Sequence, residues 1–499
     1  MKKLISFALA LAILLSLCSC GNKPQKQGED APEIKKEETL PGDIIPDMPY
    51  TPTESGEISD YVRLTDGVTF DMLNADFWID RYAQEETVVM SEKEIMDFNT
   101  ENSKLIAWDG VNIALWNFPK SASGASVKSY VDTAMPSNPT DYYIEGEPAT
   151  KEYFDAIDEN RNISAIKNSN PVRFGYSVKR AELRSYPTDD FGVTDKEDYV
   201  YDKLLTSECM PYLPVVIIHE SKDQNWYYVL FYGFGGWVRA DAIAICETKE
   251  DWLARMNVND FLVVTGREIR LPHDEGCDGV SELLLPMSTK LPLVRLEDAP
   301  EKLRMRIGYG CYAVKLPTRG ENGIIKDEYT FVSTKEDVSI GYMQYTHQNV
   351  LRLAFKLLGD RYGWGGSAYS NDCSGTLRAV YGCFGFVMPR TAAQQAVQKG
   401  LVKADISEKS SEDKIKEFQK LPIGSMVFFP GHIMLYLGMI DDEPFVISSV
   451  GSFATLNHPD GEYDEVNTYC INSLTQTKRK NGLTWLENLT VLAYPGKVK

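Results

Sequence analysis

The spacing of apolar and polar residues divides the chain into stretches with different predicted structure. Over residues 60–168, short apolar runs recur at helical spacing, and Ser91 with Glu94 fits a capping box at the start of one helix. Over residues 169–339, apolar runs alternate with Gly and polar turns, which is typical of strands. The pattern therefore predicts a mainly helical N-terminal segment followed by β-structure.

The predicted β-structure divides into two parts. The first part, residues 169–248, contains Trp226-Tyr-Tyr-Val and then Gly235-Gly-Trp-Val, a succession that resembles bacterial SH3-like domains. The second part, residues 249–339, contains further apolar runs that begin with Phe261-Leu-Val-Val264. We expect it to form a second, more divergent SH3-like barrel, with most of the aromatic residues of both parts in barrel cores.

Residues 340–499 contain a glycine-rich loop, Tyr362-Gly-Trp-Gly-Gly366, which runs into Asn371-Asp-Cys-Ser-Gly375. Apolar residues follow at helical spacing, so Cys373 is predicted in the first turn of an amphipathic helix that Asn371 or Asp372 caps. The N-terminus of a helix carries partial positive charge, which favours a thiolate. From this placement alone we expect the pKa of Cys373 to fall. The alternative is a small buried apolar side chain, which would not need polar neighbours.

A candidate base lies downstream of the cysteine. His432, one of five histidines, follows a Pro-Gly turn and begins the strand-like run His432-Ile-Met-Leu-Tyr-Leu-Gly438. A cysteine with a sequence-distant histidine is the arrangement of thiol peptidases. In that chemistry the histidine pairs with the thiolate and then protonates the leaving amine.

Four motifs stand in one order over the last third of the chain: Tyr362-Gly-Trp-Gly-Gly, Asp372-Cys-Ser-Gly, Met388-Pro-Arg-Thr and Gly431-His-Ile-Met-Leu-Tyr-Leu-Gly. The series resembles the NlpC family of bacterial cell-wall cysteine peptidases. The resemblance implies a papain-like α+β domain that hydrolyses peptidoglycan stem peptides between D-Glu and a diamino acid such as diaminopimelate. The expected fold is thus α+β and multidomain, with the peptidase domain at residues 340–499 and the two barrels and the helical segment before it.

The resemblance also implies roles for residues around the nucleophile. The residues that match Asp372 and Ser374 flank it and help to hold the substrate, and the residue that matches Tyr362 lies near the reacting carbonyl. We expect Trp364 to line the substrate groove, with packing over the nucleophile's helix as the alternative. In similar multidomain enzymes the first barrel narrows the cleft and favours peptides with a free N-terminal L-Ala. We therefore expect one or two aromatic residues of the first barrel to line the groove. For Arg390, which follows Met388-Pro389, we expect a structural role.

The chain departs from the family at the third catalytic residue, which is usually a histidine on the strand after the one that carries the base. Ser448 stands at the expected place. Its hydroxyl can accept the imidazole N–H and fix the tautomer of the ring. If the register differs, Ser449, Asn457 or His458 would orient His432 instead.

The N-terminus has the features of a secretory signal. Lys2 and Lys3 precede an apolar run, residues 4–17, which is too short for a confident membrane span. Ser19 before Cys20 fits a lipoprotein cleavage box, so residues 1–20 are predicted to be a lipoprotein signal peptide with lipidation at Cys20. An ordinary signal peptide is the alternative. Residues 21–59, rich in Pro, Glu, Lys and Gly, are predicted to be a disordered tether from the membrane, which places the protein in an extracytoplasmic compartment.

Composition restricts the partners. The formal net charge is −20 at pH 7, which argues against nucleic acid as the main partner. The seven cysteines beyond the signal show no CxxC spacing, so neither a zinc site nor a disulfide framework is indicated, and no metal or organic cofactor is expected. A monomer is expected.

The predicted function is a cysteine endopeptidase that uses Cys373, His432 and Ser448 on peptidoglycan stem peptides or muropeptides. Two alternative functions stay open. The peptidase domain could be weak or inert in a wall-binding lipoprotein that relies on its SH3-like barrels. The same scaffold could also serve an amidase or acyltransferase, which would yield different products.

Overall fold

The computed structural model describes residues 62–82, 86–105, 115–306, 308–459 and 461–496. The predicted signal peptide, the lipidation site at Cys20 and the tether up to residue 59 lie outside these residues. Among the helices of these ranges, none is long and apolar enough to cross a membrane.

Helices and strands are mixed through the described residues. In chain order the α-helices are α1 Ala75–Ile79, α2 Glu92–Asn102, α3 Gly124–Val131, α4 Lys151–Asn160, α5 Lys249–Met256, α6 Glu301–Arg304, α7 His347–Phe355, α8 Cys373–Gly382, α9 Ala392–Ala396, α10 Ser411–Phe418 and α11 Trp485–Asn488. Short 3-10 helices lie at Phe70–Leu73, Pro139–Asp141, Ile163–Ala165, Ala240–Ala242, Glu321–Gly323 and Trp364–Tyr369.

The strands before residue 340 are β1 Ser121–Ser123, β2 Tyr143–Ile144, β3 Glu147–Pro148, β4 Ser169–Pro171, β5 Arg173–Ser177, β6 Ala181–Arg184, β7 Gly192–Val193, β8 Leu205–Cys209, β9 Pro214–Glu220, β10 Trp226–Phe231, β11 Phe234–Arg239, β12 Ile243–Ile245, β13 Phe261–Val264, β14 Glu268–Arg270, β15 Leu284–Pro286, β16 Lys290–Pro292, β17 Cys311–Arg319, β18 Ile325–Ser333 and β19 Val338–Ile340. The later strands are β20 Leu401–Asp405, β21 Met426–Phe429, β22 His432–Ile440, β23 Glu443–Thr455, β24 Asp464–Ser473, β25 Thr477–Lys478 and β26 Val491–Pro495.

The N-terminal segment spreads its apolar residues over several cores. Ser91 caps α2 through the predicted capping box with Glu94. Trp78 of α1 and Phe98 of α2 pack into the core of the C-terminal domain, whereas Val127 of α3 packs into the core of the first β-region. The segment therefore packs against both regions that follow it.

The first β-region forms an antiparallel seven-stranded sheet in the order β12-β5-β9-β10-β11-β6-β8. Strands β10 and β11, which carry the two aromatic runs, form a hairpin, and Trp226 and Trp237 are buried in the core of this region. Residues 261–340 form smaller antiparallel sheets, with β13 between β16 and β19, and β17 paired with β18. That this second region is also an SH3-like barrel stays a prediction.

The C-terminal domain is built on the sheet β20-β26-β21-β22-β23-β24, with β25 paired to β23. Alternate residues of β22 enter two different cores: Ile433 and Leu435 pack with α7 and α8, whereas Met434 and Tyr436 pack with residues of α10 and α11. Because successive side chains of a strand point to opposite faces of the sheet, β22 contributes to a hydrophobic layer on each face. Strand β22 is thus held rigidly, and His432 lies at its first position.

Candidate active site

The nucleophile candidate lies at the predicted start of a helix. Cys373 is the first residue of α8, and Asp372 is the N-cap: its Oδ1 accepts a hydrogen bond from the Gly375 N–H at 2.8 Å. Of the two predicted caps, Asn371 and Asp372, the structure has Asp372 in this position. Cys373 is partly exposed, so a reactant in the cleft can reach its Sγ.

A buried guanidinium holds the turn before this helix. Arg390 donates to both carboxylate oxygens of Asp372, with the shorter bond at 2.6 Å, and to Ser374 Oγ at 3.0 Å. Its Nε donates to Ser207 Oγ of β8 at 2.7 Å. Burial disfavours the Asp372 carboxylate, but Arg390 and the helix N–H group together hold the pKa of Asp372 below its ordinary value. Arg390 therefore has the predicted structural role, and it also ties the nucleophile's turn to the first β-region.

Asp372 and Ser374 line the cleft, as do Tyr362 and Trp364. In the structure the side chains of Asp372 and Ser374 are buried and bound to Arg390. Their predicted part in holding the substrate stays a prediction.

The candidate base lies at the start of β22 and faces the same cleft as Cys373. His432 Nε2 lies 3.1 Å from Ser448 Oγ on the neighbouring strand β23. Because Ser448 occupies Nε2, the nitrogen left to exchange a proton with the thiol is Nδ1. Ser448 is almost completely buried, which fixes its place beside the ring.

The other candidates for orienting the histidine have different partners. Ser449 Oγ donates to the Asn371 carbonyl oxygen at 2.7 Å. His458 Nδ1 accepts from the Thr455 N–H at 3.1 Å, and the Asn457 N–H donates to Thr455 Oγ1 at 3.3 Å. Of the four candidates, Ser448 is the residue whose side chain contacts His432.

Two aromatic rings flank the imidazole. The ring centroids of Phe429 and Trp485 lie 5.1 and 5.7 Å from that of His432. The Arg479 guanidinium lies over the Phe429 ring, 4.5 Å from its centroid. The sequence analysis did not single out Phe429, Trp485 or Arg479. Trp485 and Arg479 come after the last motif and carry no pattern of their own.

The protonation states differ from the expectation. Burial, with the Asp372 carboxylate adding to it, raises the pKa of the Cys373 thiol to about 12, although backbone hydrogen bonds at Ile433 and Ser374 and the Arg390 cation act in the opposite direction. The expected fall in the pKa of Cys373 was therefore wrong for the substrate-free cleft, because desolvation outweighs the helix N-terminus. Burial and the nearby Arg479 cation lower the pKa of His432 to about 3. The resting pair is a neutral thiol and a neutral imidazole.

The glycine loop and the first β-region wall one side of the cleft, which has a volume of about 580 Å³. Thr206 and Phe234 of that region line it together with Tyr362 and Trp364. Tyr201 packs edge-on against Trp364, with 5.5 Å between ring centroids. The expectation that aromatic residues of the first barrel reach the groove is met by Phe234, a position that the sequence did not single out.

No group of three or more His, Cys, Asp or Glu side chains among the described residues could hold a metal ion. The seven described cysteines are free thiols.

Two parts of the chain match known protein families. Residues 359–477 match the NlpC/P60 family, and residues 192–239 match the SH3 domain of the SH3b1 type. No curated protein matches the chain.

Solved structures give a similar picture. The structure reported as a novel NlpC/P60 endopeptidase from Photobacterium damselae subsp. piscicida superposes with a TM-score of 0.62 at 18% identity, over 83% of this chain and 96% of that one. At this identity the likeness concerns the fold alone. NlpC2 and NlpC1 from Trichomonas vaginalis match at 14% identity over 62% of this chain and 98% and 94% of theirs, but their TM-score of 0.22 supports no argument.

Proposed function

Because the chain carries an NlpC/P60 domain preceded by an SH3b1-type domain, we propose that it is a cell-wall cysteine endopeptidase whose nucleophile is Cys373. The observation that carries the proposal is one cleft that holds Cys373, at the capped start of a helix, and His432, whose Nε2 contacts Ser448. A nucleophile, a base and a group that orients the base are the three parts that covalent acyl transfer needs.

The proposed reaction starts from the neutral pair. His432 Nδ1 accepts the thiol proton as Cys373 Sγ attacks the carbonyl carbon of the scissile amide, and the electron pair of the C=O bond moves to the oxygen. The Cys373 backbone N–H, at the N-terminus of α8, is placed to donate to that oxyanion. The C–N bond then breaks, and the amine leaves with the proton from His432. Water attacks the thioester in the same way and restores the thiol.

Ser448 has a positioning role in this scheme. With Nδ1 free to take a proton, Nε2 carries hydrogen and donates to Ser448 Oγ. The hydroxyl fixes the tautomer and the ring plane, but it brings no negative charge to the imidazolium. Phe429 and Trp485, which also pack against each other, contact the imidazole and restrict its orientation further.

We propose the bond between γ-D-Glu and diaminopimelate in stem peptides as the scissile amide, on the basis of the resemblance to the family. Phe234 and Thr206 support a restriction to short peptides with a free N-terminal L-Ala, because they line the same cleft as Cys373 and occupy space there. Lipidation at Cys20 and an extracytoplasmic location are proposed from the sequence of residues 1–59 alone.

The test is mass spectrometry of products after the protein is incubated with L-Ala-γ-D-Glu-diaminopimelate and with its muramyl-capped form. We expect the free peptide to be cleaved to L-Ala-γ-D-Glu and diaminopimelate, and the capped form to resist. Cys373→Ala should abolish cleavage, whereas Cys311→Ala, which removes another partly exposed thiol, should not.

Retained cleavage by Cys373→Ala would overturn the nucleophile. Cleavage at the sugar–L-Ala amide would identify an amidase. If neither peptide is cleaved although the folded protein binds peptidoglycan, the protein is a wall-binding lipoprotein with an inert peptidase domain.

A further inference from the structure

A second cavity, of about 560 Å³, lies next to the active-site cleft. The glycine loop forms a wall of both spaces: Trp364 and Gly365 line the cleft, and Gly366 and Tyr369 line the second cavity. Strand β6, the start of β10 and the end of β11 form the opposite side, and Arg319 at the end of β17 closes it. The cavity is therefore formed by the first β-region, the second β-region and the peptidase domain together.

The cavity concentrates cationic side chains in a protein whose formal net charge is −20. The cations that line it are Lys179, Arg180, Arg184, Arg239 and Arg319, and the carboxylates are Glu182, Asp189, Glu208 and Asp241. Four of the cations form ion pairs with these carboxylates. Arg184 also pairs with the buried Asp202, so the charges of the cluster balance, and Arg319 is the cation in the lining that no carboxylate pairs with.

Arg319 has no carboxylate within ion-pair distance in the described ranges. Its Nη1 donates to the backbone carbonyl oxygens of Ile243 and Gly323. Backbone carbonyls place the guanidinium but do not neutralise it. A cation that lines a cavity without an anionic partner attracts an anionic ligand.

Arg184 lies in the same lining, and protein acceptors already hold its guanidinium. The side chain is buried, and its two terminal nitrogens bind Glu182, Asp202 and the Asp190 carbonyl oxygen. Its Nε–H is a buried donor that finds no acceptor among the described residues. Because Arg184 is already paired, Arg319 is the guanidinium in the lining that no carboxylate neutralises.

We propose that this cavity binds the carboxylate of a short peptide, with Arg319 as its main counter-charge. A carboxylate matches the fork of a guanidinium, and a single negative charge is tolerated beside four acidic side chains, where a polyphosphate would be repelled. The rim carboxylates Asp189 and Asp241 suit a peptide amine or amide N–H group. The volume suits a peptide of two or three residues.

The first experiment is calorimetric titration of the full-length Cys373→Ala protein with trialanine acid and with trialanine amide. The two probes differ only at the C-terminus, which is a carboxylate in the acid and a neutral carboxamide in the amide. We expect the acid to bind with one-to-one stoichiometry and the amide to bind at least tenfold more weakly. Since binding is measured and not hydrolysis, failure here is distinguishable from failure of the proposed peptidase function.

Arg319→Gln, in the same background, should weaken binding of the acid at least tenfold, because it removes the unmatched charge. Arg295→Gln is the matched control: the same charge is removed at an exposed residue outside the cavity. Arg239→Gln, at the exposed rim, tests the same surface without disturbing the backbone contacts that Arg319 makes, and should weaken binding by threefold or more.

The proposal is overturned if trialanine acid does not bind at millimolar concentration, or if acid and amide bind alike. It is also overturned if Arg319→Gln and Arg239→Gln both bind like Arg295→Gln, since the peptide would then occupy the active-site cleft or another surface. Thermal unfolding of each variant establishes that a loss of binding occurs in folded protein.

Discussion

At the residue scale, the nucleophile's surroundings depend on one buried guanidinium. The hydrogen bonds of Arg390 go to Asp372, Ser374 and Ser207, all of which are buried. A buried charge that loses its partner is strongly destabilising. The cap of α8 and the position of Cys373 therefore depend on a residue 18 positions from Asp372 in the sequence.

The contact between His432 and Ser448 predicts a defined loss of rate. Ser448→Ala should lower kcat on the free tripeptide about tenfold with little change in KM, because one hydrogen bond of about 1.4 kcal/mol that orients the base is lost. Ser448→Thr, which keeps the hydroxyl, should retain more activity than Ser448→Ala. Steady-state kinetics of both variants test this, and an unchanged kcat in Ser448→Ala would remove the residue from the mechanism.

The low pKa of His432 predicts an unusual pH profile. A neutral imidazole must accept the thiol proton, so activity is lost as the pH falls through the pKa of His432. Burial and Arg479 lower that pKa to about 3, with the Asp372 carboxylate acting in the opposite direction. We therefore expect kcat/KM to change little from pH 8 to pH 5. An acid limb near pH 6.5 would contradict this.

Arg479→Gln tests the cause of that low pKa. Removal of the cation lets His432 protonate more readily, so the acid limb should move to higher pH. Arg295→Gln removes a distant exposed charge and should leave the profile unchanged.

At the element scale, the glycine loop is shaped by its contact with β8. Gly366 has φ +97°, and a Cβ at this position would collide with the Glu208 carboxyl group. Glu208 is itself paired with Arg180, which donates to the backbone oxygens of Tyr369 and Ser370. Loop and strand thus form one unit, and the loop carries Trp364 to the edge of the cleft.

Gly366→Ala should therefore be costly. We expect a loss of about 3 kcal/mol or more in the free energy of unfolding, because the left-handed backbone and the buried Arg180–Glu208 pair are both disturbed. Gly310→Ala is the matched control: φ is +68° and no atom lies within 4 Å of the added Cβ, so only the backbone cost of about 1 kcal/mol remains. Chemical denaturation of both variants measures the difference, and equal losses would show that the contact with Glu208 has no effect on stability.

At the scale of the whole molecule, the cleft belongs to two domains. The peptidase domain supplies Cys373 and His432, while Thr206 and Phe234 come from the region that contains the SH3b1-type match. Ser207 of the same region holds Arg390 over a sequence separation of 183 residues. The first β-region therefore shapes the cleft and also supports the nucleophile's turn.

Phe234→Ala tests the first of these roles. Loss of the ring enlarges the cleft, which should admit the muramyl-capped end of the peptide. The kcat/KM for the capped tripeptide, divided by that for the free tripeptide, should therefore rise at least tenfold. Phe191→Ala removes an exposed ring outside the cleft and should not change the ratio. Discrimination that persists in Phe234→Ala would place the selecting contact elsewhere.

The sequence by itself located the candidate site residues. Cys373 at a capped helix start and His432 at the head of a strand follow from local periodicity and turns, whereas Ser448 on the next strand was singled out by the resemblance to the NlpC family. These features depend on residues close together in the chain, which is why pattern could predict them.

Only the tertiary structure decided which of Ser448, Ser449, Asn457 and His458 contacts the base, because the choice depends on the pairing of β22 with β23. The tertiary structure also reversed the expected direction of the pKa shift of Cys373. The helix N-terminus can be predicted from neighbouring residues, whereas burial of the thiol depends on distant chain segments. Phe234, Trp485 and the Ser207–Arg390 bond are likewise contacts between distant segments. The sequence specified the reactive groups, and packing between domains set their protonation and their surroundings.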